Sequence, residues 1–182
     1  ALRLHWEGLV ARGAAPPNLA PFGEMVATAN RQVRRVLVEL RPPLLDEAGL
    51  VAALDNEIGQ LRSRDGAPPI DLVVPPGLHA QRLPGDIEYA AFMICREALV
   101  NARQHARARH IEVRIDGDAA DLMLTVTDDG VGMDSASGAA ARPGHLGLVG
   151  MRERALATGA TMTIDSSPGR GTVVRVHWEP LA

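Results

Sequence analysis

Three polar side chains recur at steps of four residues in the stretch REALVNARQHA, residues 96–106. In a helix, Glu97, Asn101 and His105 would lie along one face, drifting by about 40° per step. A carboxylate, a carboxamide and an imidazole on one face offer proton transfer and ligand binding rather than packing. The alternative is a partly solvated helix edge, and other stretches of the chain help to decide between the two interpretations.

A second stretch, VTDDGVGMD at residues 126–134, places an aspartate and two spaced glycines directly after a predicted strand. The glycines permit a tight turn and let the backbone approach a flat ligand. Asp128 would present a carboxylate acceptor there, which suits the exocyclic amino group of adenine. Guanine would oppose it with a carbonyl oxygen and leave two acceptors unpaired. Taken alone, the stretch is equally typical of an Asp-Gly turn in a loop.

Two more glycine-rich stretches follow along the chain. In GHLGLVGMRER (144–154), Gly144, Gly147 and Gly150 precede or open a predicted helix. Free N–H groups at a helix start are a ready phosphate site. The stretch SSPGRGTVV (166–174) leads into the last predicted strand. Taken alone, the first is also typical of a loop-to-helix junction, and the second of a hairpin turn.

The elements that would position these side chains are a mixture of helices and strands. The stretch 24–40 has apolar positions at helical spacing and ends at two prolines, and DEAGLVAALDNEIGQLRSRDG has the pattern of a second amphipathic helix. From about residue 70 the predicted order is strand, long helix, hairpin, loop, helix and hairpin: IDLVV, PGDIEYAAFMICREALVNARQHARA, HIEVRID with DLMLTVTDD, SASGAAARPG, GLVGMRERALATG, and TMTIDSS with GTVVRVHW. This order predicts an α+β fold, a two-layer α/β sandwich with helices on one face of a mixed, mainly antiparallel sheet.

The composition is that of a soluble globular protein. Of 182 residues, 46% are hydrophobic and 23% are charged, which allows one ordinary domain and a small appendage. We find no apolar run near the roughly 18 residues that span a bilayer, and no signal-peptide pattern. The single cysteine, Cys95, excludes an internal disulfide and is expected to pack as a small hydrophobe. We therefore expect this domain to lie in the cytoplasm. A membrane anchor elsewhere in the full-length protein is compatible with that location.

Charge narrows the function classes further. The net charge is −3 and the sequence contains no basic tract, which argues against nucleic acid as a partner. All 19 basic side chains are arginines. A Walker-type phosphate loop needs a lysine, so the chain does not carry that class of nucleotide site, and Schiff-base chemistry through lysine is excluded as well.

The four stretches in this order resemble the N, G1, G2 and G3 boxes of the GHKL ATPase superfamily, which includes gyrase, MutL repair proteins, heat-shock chaperones and histidine kinases. LRPPLLDEAGLVAAL (40–54) is similar to the junction between dimerisation and catalytic domains in histidine kinases of the nitrate-sensor (NarL-partner) type. The resemblance covers about residues 24–178 and implies the Bergerat ATP-binding fold. It implies a partial or degenerate dimerisation-helix segment at residues 1–48 and a catalytic and ATP-binding domain at residues 49–182.

The resemblance also implies roles for single residues. Asn101 would ligate the Mg²⁺ that bridges the nucleotide phosphates, and His105 would face the phosphate chain. Glu97 occupies the position of the general base in hydrolytic members, and in a kinase it would orient water or the metal. Asp128 would contact adenine with support from Thr172. The other implied nucleotide contacts are Gly130 and Gly132 at the base, and Gly147, Leu148 and Gly150 at the phosphates, with the loop 133–146 as a lid.

Two features depart from the family pattern. The N box often has a lysine before its histidine, and here that position is Gln104. Two outcomes stay open: a weaker affinity for phosphate, or compensation by Arg103 or Arg107. The phosphoacceptor histidine of these kinases is followed by an acidic residue, and no such pair occurs in this sequence. His5, two residues before Glu7, is a faint echo of that motif.

The implied function is that of the ATP-binding catalytic domain of a two-component sensor histidine kinase, with ATP and Mg²⁺ as cofactors. It would transfer the γ-phosphoryl group to a histidine of a dimerisation domain, for relay to a response regulator of the NarL type, in a homodimeric full-length protein. Two alternatives stay open: a serine kinase of the anti-sigma-factor type, and a degenerate, non-catalytic module whose nucleotide state switches a protein interaction. LRPPLLDEAGL disfavours the first, while Gln104 and the missing acceptor motif modestly favour the second.

Overall fold

The computed structural model describes residues 42–118, 120–133 and 145–179. Residues Leu44–Ala182 form one compact unit. The predicted helix over 24–40, His5 and most of the predicted lid, residues 134–144, lie outside the described residues.

The described residues form three α-helices, five strands and one short 3₁₀ helix. In chain order they are α1 (Pro43–Arg62), β1 (Ile70–Val73), the 3₁₀ helix (Pro76–Ala80), α2 (Gly85–Gln104), β2 (Ile111–Gly117), β3 (Leu122–Asp128), α3 (His145–Ala157), β4 (Thr161–Ser166) and β5 (Thr172–Trp178). The predicted fold class is confirmed. Two details differ from the prediction: α1 begins at Pro43, since proline suits the first turn of a helix, and the 3₁₀ helix is too short to produce a periodic pattern.

The five strands form one sheet in the order β1-β2-β3-β5-β4. β1 runs parallel to β2, and the other three neighbouring pairs are antiparallel. The register places Asp128 of β3 opposite Thr172 of β5, and Thr172 opposite Ser166 of β4. These three residues therefore form one row across adjacent strands, at the end where β3 terminates.

One face of the sheet is buried under the helices. Because side chains alternate along a strand, Val113 and Ile115 of β2 and Leu124 and Val126 of β3 are buried, while their neighbours in sequence face outward. From the helices, fully buried side chains pack onto this face, each worth about 1.5–3 kcal/mol relative to exposure: Leu54, Ile58, Phe92, Ile94, Leu99 and Met151. We call the opposite, more polar side of the sheet the open face. Among the described residues, no helix is both long and apolar enough to cross a membrane.

An ion pair between a half-exposed arginine and a buried glutamate ties the start of α2 to the first turn of α1. Glu88 has no exposed surface, and its carboxylate accepts hydrogen bonds from Nε and Nη2 of Arg82, each at 2.9 Å, and from the backbone N–H of Leu83 at 3.1 Å. The same guanidinium donates to the carbonyls of Asp46 (3.1 Å) and Leu45 (3.4 Å). The kink of α1 lies against this pair, since Gly49 has φ of 83° and a Cβ there would lie 3.2 Å from Nε of Arg82.

Candidate functional site

A cavity of about 200 Å³ lies between α2, α3 and the ends of β3 and β5. Six of the ten predicted site residues line it: Asn101, His105, Asp128, Gly132, Leu148 and Thr172. The remaining four, Glu97, Gly130, Gly147 and Gly150, do not line it. The structure therefore brings residues from four distant stretches of the sequence to one pocket.

Asp128 is the buried polar group of this cavity. It ends β3, is 8% exposed, and accepts a hydrogen bond from the backbone N–H of Gly130 at 2.9 Å. Burial raises the pKa of Asp128 above its usual value, while the hydrogen bonds from Gly130 and from the hydroxyl and backbone of Thr172 partly offset that increase. A carboxylate has about four lone-pair sites. The carboxylate therefore keeps acceptor capacity for a ligand in the cavity.

The neighbouring carboxylate has the opposite environment. Asp129 is exposed and accepts hydrogen bonds from the backbone N–H groups of Arg109 (2.7 Å) and His110 (2.9 Å). These two bonds, that from His110 first, lower the pKa of Asp129 below its usual value. Asp129 thus fixes the turn that follows α2, and Asp128 faces the cavity.

The glycines after β3 permit close backbone contacts. A Cβ on Gly130 would lie 2.3 Å from the carbonyl oxygen of Ala106, so this glycine packs against the end of α2. The next residue, Val131, donates its N–H to the same carbonyl at 2.8 Å. Gly132 has φ of 66°, and a Cβ on it would lie 2.0 Å from the carbonyl oxygen of Ser167. The GVG turn is therefore held between α2 and the loop joining β4 to β5.

The polar residues at steps of four along α2 lie in two different environments. Asn101 and His105 line the cavity, and His105 ends the helix with its N–H donated to the carbonyl of Asn101 at 2.9 Å. Glu97, one turn earlier, packs against the first turn of α3. A Cβ on Gly147 would lie 2.0 Å from Oε1 of Glu97, so a larger residue at 147 would displace the Glu97 carboxylate. Gly150 lies one turn further along α3, beside Arg154.

The walls of the cavity are apolar, and sequence analysis did not identify them. They consist of small and large hydrophobic residues from four elements and the loop after β3: Ala98, Ala102, Ala106, Val126, Met133, Met151 and Val174. Ala98 and Ala102 of α2 and Ala106 in the turn after it recur at steps of four, and their small side chains leave the space that the cavity occupies. That spacing was a signal that could have predicted the wall. Neither Arg103 nor Arg107, the suggested substitutes for the missing lysine, lines the cavity.

Comparisons with known proteins give a consistent result. Residues 87–181 match the family model described as histidine kinase-, DNA gyrase B-, and HSP90-like ATPase. An uncharacterized sensor-like histidine kinase of Chloroflexus aurantiacus is 37% identical over 165 residues, which are 87% of this chain and 27% of that protein. The oxygen sensor histidine kinase NreB of Staphylococcus carnosus is 36% identical over 148 residues, 80% of this chain and 40% of that protein. The chain thus spans well under half the length of these relatives.

Solved structures share the fold. The histidine kinase domain of the blue-light activated histidine kinase from Erythrobacter litoralis EL346 superposes with a TM-score of 0.61 at 20% identity, covering 98% of this chain and 82% of that one. A mycobacterial sensor histidine kinase, MprB, superposes with a TM-score of 0.52 at 18% identity, covering 71% of this chain and 94% of that one. At such identities the likeness concerns the fold alone.

Proposed function

The chain belongs to the family of histidine kinase-, DNA gyrase B- and HSP90-like ATPases, and from that premise we propose that it is the catalytic and ATP-binding domain of a two-component sensor histidine kinase. The observation that carries the proposal is the buried carboxylate of Asp128, which has acceptor capacity left at the floor of an otherwise apolar cavity. Such a site suits a flat apolar ring that carries one exocyclic amino group, which is the chemistry of adenine.

The base would lie between the apolar walls with its amino group on Asp128. Thr172, opposite Asp128 in the sheet, holds that carboxylate through its hydroxyl and its backbone N–H. Because the carboxylate is largely buried, an unmatched acceptor or a missing donor on the ligand costs more than it would at the surface. The site therefore favours adenine over guanine.

The phosphate chain would follow α2 away from the base. Asn101 and His105 lie on the cavity wall, and the carboxamide oxygen of Asn101 is a hard donor of the kind that Mg²⁺ accepts. The described residues hold no cluster of three or more acidic, histidine or cysteine side chains able to bind a metal. That donor set fits an ion held by one protein oxygen together with phosphates and water, which is how Mg²⁺ binds beside nucleotides. When bound, Mg²⁺ supplies neutralisation of the phosphate charge.

The remaining predicted residues would act around the phosphates. His105 would donate a hydrogen bond to them, and Leu148 on the first turns of α3 would set the depth of the cavity beside Gly147 and Gly150. Glu97 would orient water or the hydrated metal. Catalysis would consist of positioning and charge neutralisation, since phosphoryl transfer leaves little covalent work to the protein.

The partners belong to the whole protein and are proposed with it. The γ-phosphoryl group would pass to a histidine of a dimerisation domain and then to a response regulator, with a NarL-type regulator as the finer proposal. We also propose a homodimeric full-length protein, with residues 1–48 as a dimerisation-helix segment and residues 49–182 as the catalytic domain. Similarity to the protein named oxygen sensor histidine kinase NreB supports these roles.

Substitution of Asn101 tests the proposed metal and phosphate contacts. We expect Mg²⁺ to strengthen ATP binding by the wild type. In Asn101→Ala we expect this strengthening by Mg²⁺ to be at least about tenfold smaller, while the affinity for metal-free ATP is unchanged. The matched control is Asn56→Ala on the exposed side of α1. Calorimetric titration with and without Mg²⁺ checks this, and an unchanged strengthening by Mg²⁺ in Asn101→Ala would rule out the metal role.

A second experiment separates the kinase from the non-catalytic alternative. The kinase is expected to place acid-labile phosphate on an added histidine-bearing dimerisation domain, and the non-catalytic module is not.

A further inference from the structure

We propose that Ser166 is a positioning residue for adenine recognition, acting through Thr172 on Asp128. This inference rests on the proposed ATP-binding function and extends it to a side chain that does not itself line the cavity. Taken alone, the stretch that begins at Ser166 has the pattern of a hairpin turn, and the resemblance assigns it to the G3 box without a role for Ser166.

The sheet register places the three side chains in one row. Asp128 of β3 lies opposite Thr172 of β5, which lies opposite Ser166 of β4. Directly opposed residues on neighbouring antiparallel strands project to the same face of a sheet. All three side chains therefore point to the helix-covered face, where the cavity lies, and Ser166 is the outermost of them.

Hydrogen bonds join the row into a chain. The hydroxyl oxygens of Ser166 and Thr172 are 3.0 Å apart, and the hydroxyl of Thr172 also bonds to the carboxylate of Asp128. Each hydroxyl has one proton to donate. Since the carboxylate is the stronger acceptor, Thr172 donates to Asp128 and can only accept from Ser166. Ser166 divides its single proton between Thr172 and the carbonyl of Gly171, at 2.9 Å.

The chain begins at the backbone of a cavity residue. The N–H of Met133 donates to Oγ of Ser166 at 2.8 Å, and Met133 lines the cavity. The N–H of Met133 and the hydroxyls of Ser166 and Thr172 therefore form one hydrogen-bonded series that reaches Asp128, with the carbonyl of Gly171 as a second acceptor for the Ser166 proton. Removal of the Ser166 hydroxyl would leave the N–H of Met133 without this acceptor and Thr172 without the donor that fixes its rotamer.

The experiment compares two nucleotides that differ only in the group that Asp128 would contact. Wild type, Ser166→Ala and Ser166→Thr are titrated with Mg·ATP and with the Mg²⁺ complex of purine riboside triphosphate, which lacks the exocyclic amine. The matched control is Thr163→Ala, which removes a hydroxyl from the same strand on the open face. Far-UV circular dichroism confirms that each variant is folded.

We expect Ser166→Ala to weaken ATP binding by about three- to tenfold, the effect of one hydrogen bond, and to change binding of the amine-free nucleotide by less than about twofold. Ser166→Thr, which keeps the hydroxyl, and Thr163→Ala are expected to retain wild-type affinities. An equal loss for both nucleotides, or no loss for ATP, would overturn the role of Ser166 while leaving the ATP site in place. Failure of the wild type to bind ATP would overturn the proposed function and this inference together.

Discussion

Two adjacent carboxylates at the end of β3 have opposite environments and therefore different roles. Asp128 is buried, and burial raises its pKa, whereas backbone N–H groups of His110 and Arg109 lower the pKa of the exposed Asp129. The first keeps acceptor capacity for a ligand and the second fixes the chain. The charge on Asp128 thus opposes folding at neutral pH, while the charge on Asp129 supports it.

This difference predicts opposite pH dependences of stability. A folded-state pKa above the unfolded value of about 3.9 means that the folded state binds the proton more tightly, so stability rises as the pH falls toward that value. The difference in unfolding temperature, wild type minus Asp128→Asn, is therefore expected to increase as the pH is lowered from 7 to about 4. For Asp129 the lowered pKa gives the reverse sign, because its contribution is complete above about pH 3.9 and is lost below it.

Both slopes are measured by thermal unfolding of wild type, Asp128→Asn and Asp129→Asn from pH 7 down to about pH 2, because the Asp129 contribution is lost only below about pH 3.9. Each variant serves as the control for the other, since the two positions adjoin and the substitution is the same. For each variant, the difference in unfolding temperature from the wild type is followed against pH. If both differences changed with pH in the same direction, the assignment of a ligand-facing role to Asp128 and a structural role to Asp129 would be contradicted.

Some residue-level features were predictable and others were not. Asp128 was predicted because a carboxylate that ends a strand before a Gly-x-Gly turn is a local pattern. Ser166 was not predicted, because its contact with Thr172 depends on the register of β4 and β5, which local sequence does not specify. Residue roles thus become predictable where the determining neighbours are close in sequence.

At the level of elements, Gly147 of α3 leaves room for the carboxylate of Glu97 on α2. A Cβ on Gly147 would lie 2.0 Å from Oε1 of Glu97, so the carboxylate must move when residue 147 is larger. Gly147→Ala is therefore expected to gain less stability than an unobstructed helical Gly→Ala substitution, because movement of this flexible side chain offsets part of the gain in helix propensity, which is about 0.5–1 kcal/mol. The double variant Glu97→Ala/Gly147→Ala should recover most of the difference.

The control for this prediction is another helical glycine with free space. A Cβ on Gly59 in α1 meets no atom within 4 Å, so Gly59→Ala is expected to stabilise the protein by about 0.5–1 kcal/mol through helix propensity. Chemical denaturation of the variants measures both effects. A gain in Gly147→Ala equal to that in Gly59→Ala would contradict the prediction and show that the Glu97 carboxylate moves without cost.

The joint between α1 and α2 predicts an asymmetry between two partners. Loss of Arg82 leaves the wholly buried carboxylate of Glu88 without its counter-charge, whereas Arg82 is half-exposed and can be hydrated when Glu88 is changed. Arg82→Gln is therefore expected to lower the unfolding temperature more than Glu88→Gln does. Thermal unfolding at pH 7 checks the order, and equal effects would indicate that the carboxylate is hydrated in Arg82→Gln.

The elements themselves were largely predictable from periodicity. α2 and the hairpin strands follow the spacing of their apolar residues, and the prolines and glycines at their ends mark the boundaries. The kink at Gly49 was not predictable, because it adjoins a guanidinium that lies 33 positions later in the chain. Short-range pattern specified where helices form, and long-range polar contacts specified how one of them bends.

On the scale of the whole described unit, the fold leaves one end of its core open. The buried face of the sheet is filled by large side chains along most of its length, but α2 and the turn after it present alanines at 98, 102 and 106 where β3 ends and β5 begins. The cavity is therefore a consequence of side-chain volume in a two-layer sandwich. The order of elements made this architecture predictable, while the apolar walls required knowledge of which faces meet.

The central claim is that this cavity binds adenine through Asp128, and a calorimetric titration with Mg·ATP tests it most directly. In Asp128→Asn an amide N–H would oppose the exocyclic amine, so we predict saturable binding by the wild type and a loss of more than about tenfold, or 1.4 kcal/mol, in the variant. Asp116→Asn on the open face of β2 is expected to bind as the wild type does. No saturable binding by the wild type, or equal affinities of wild type and Asp128→Asn, would contradict the account.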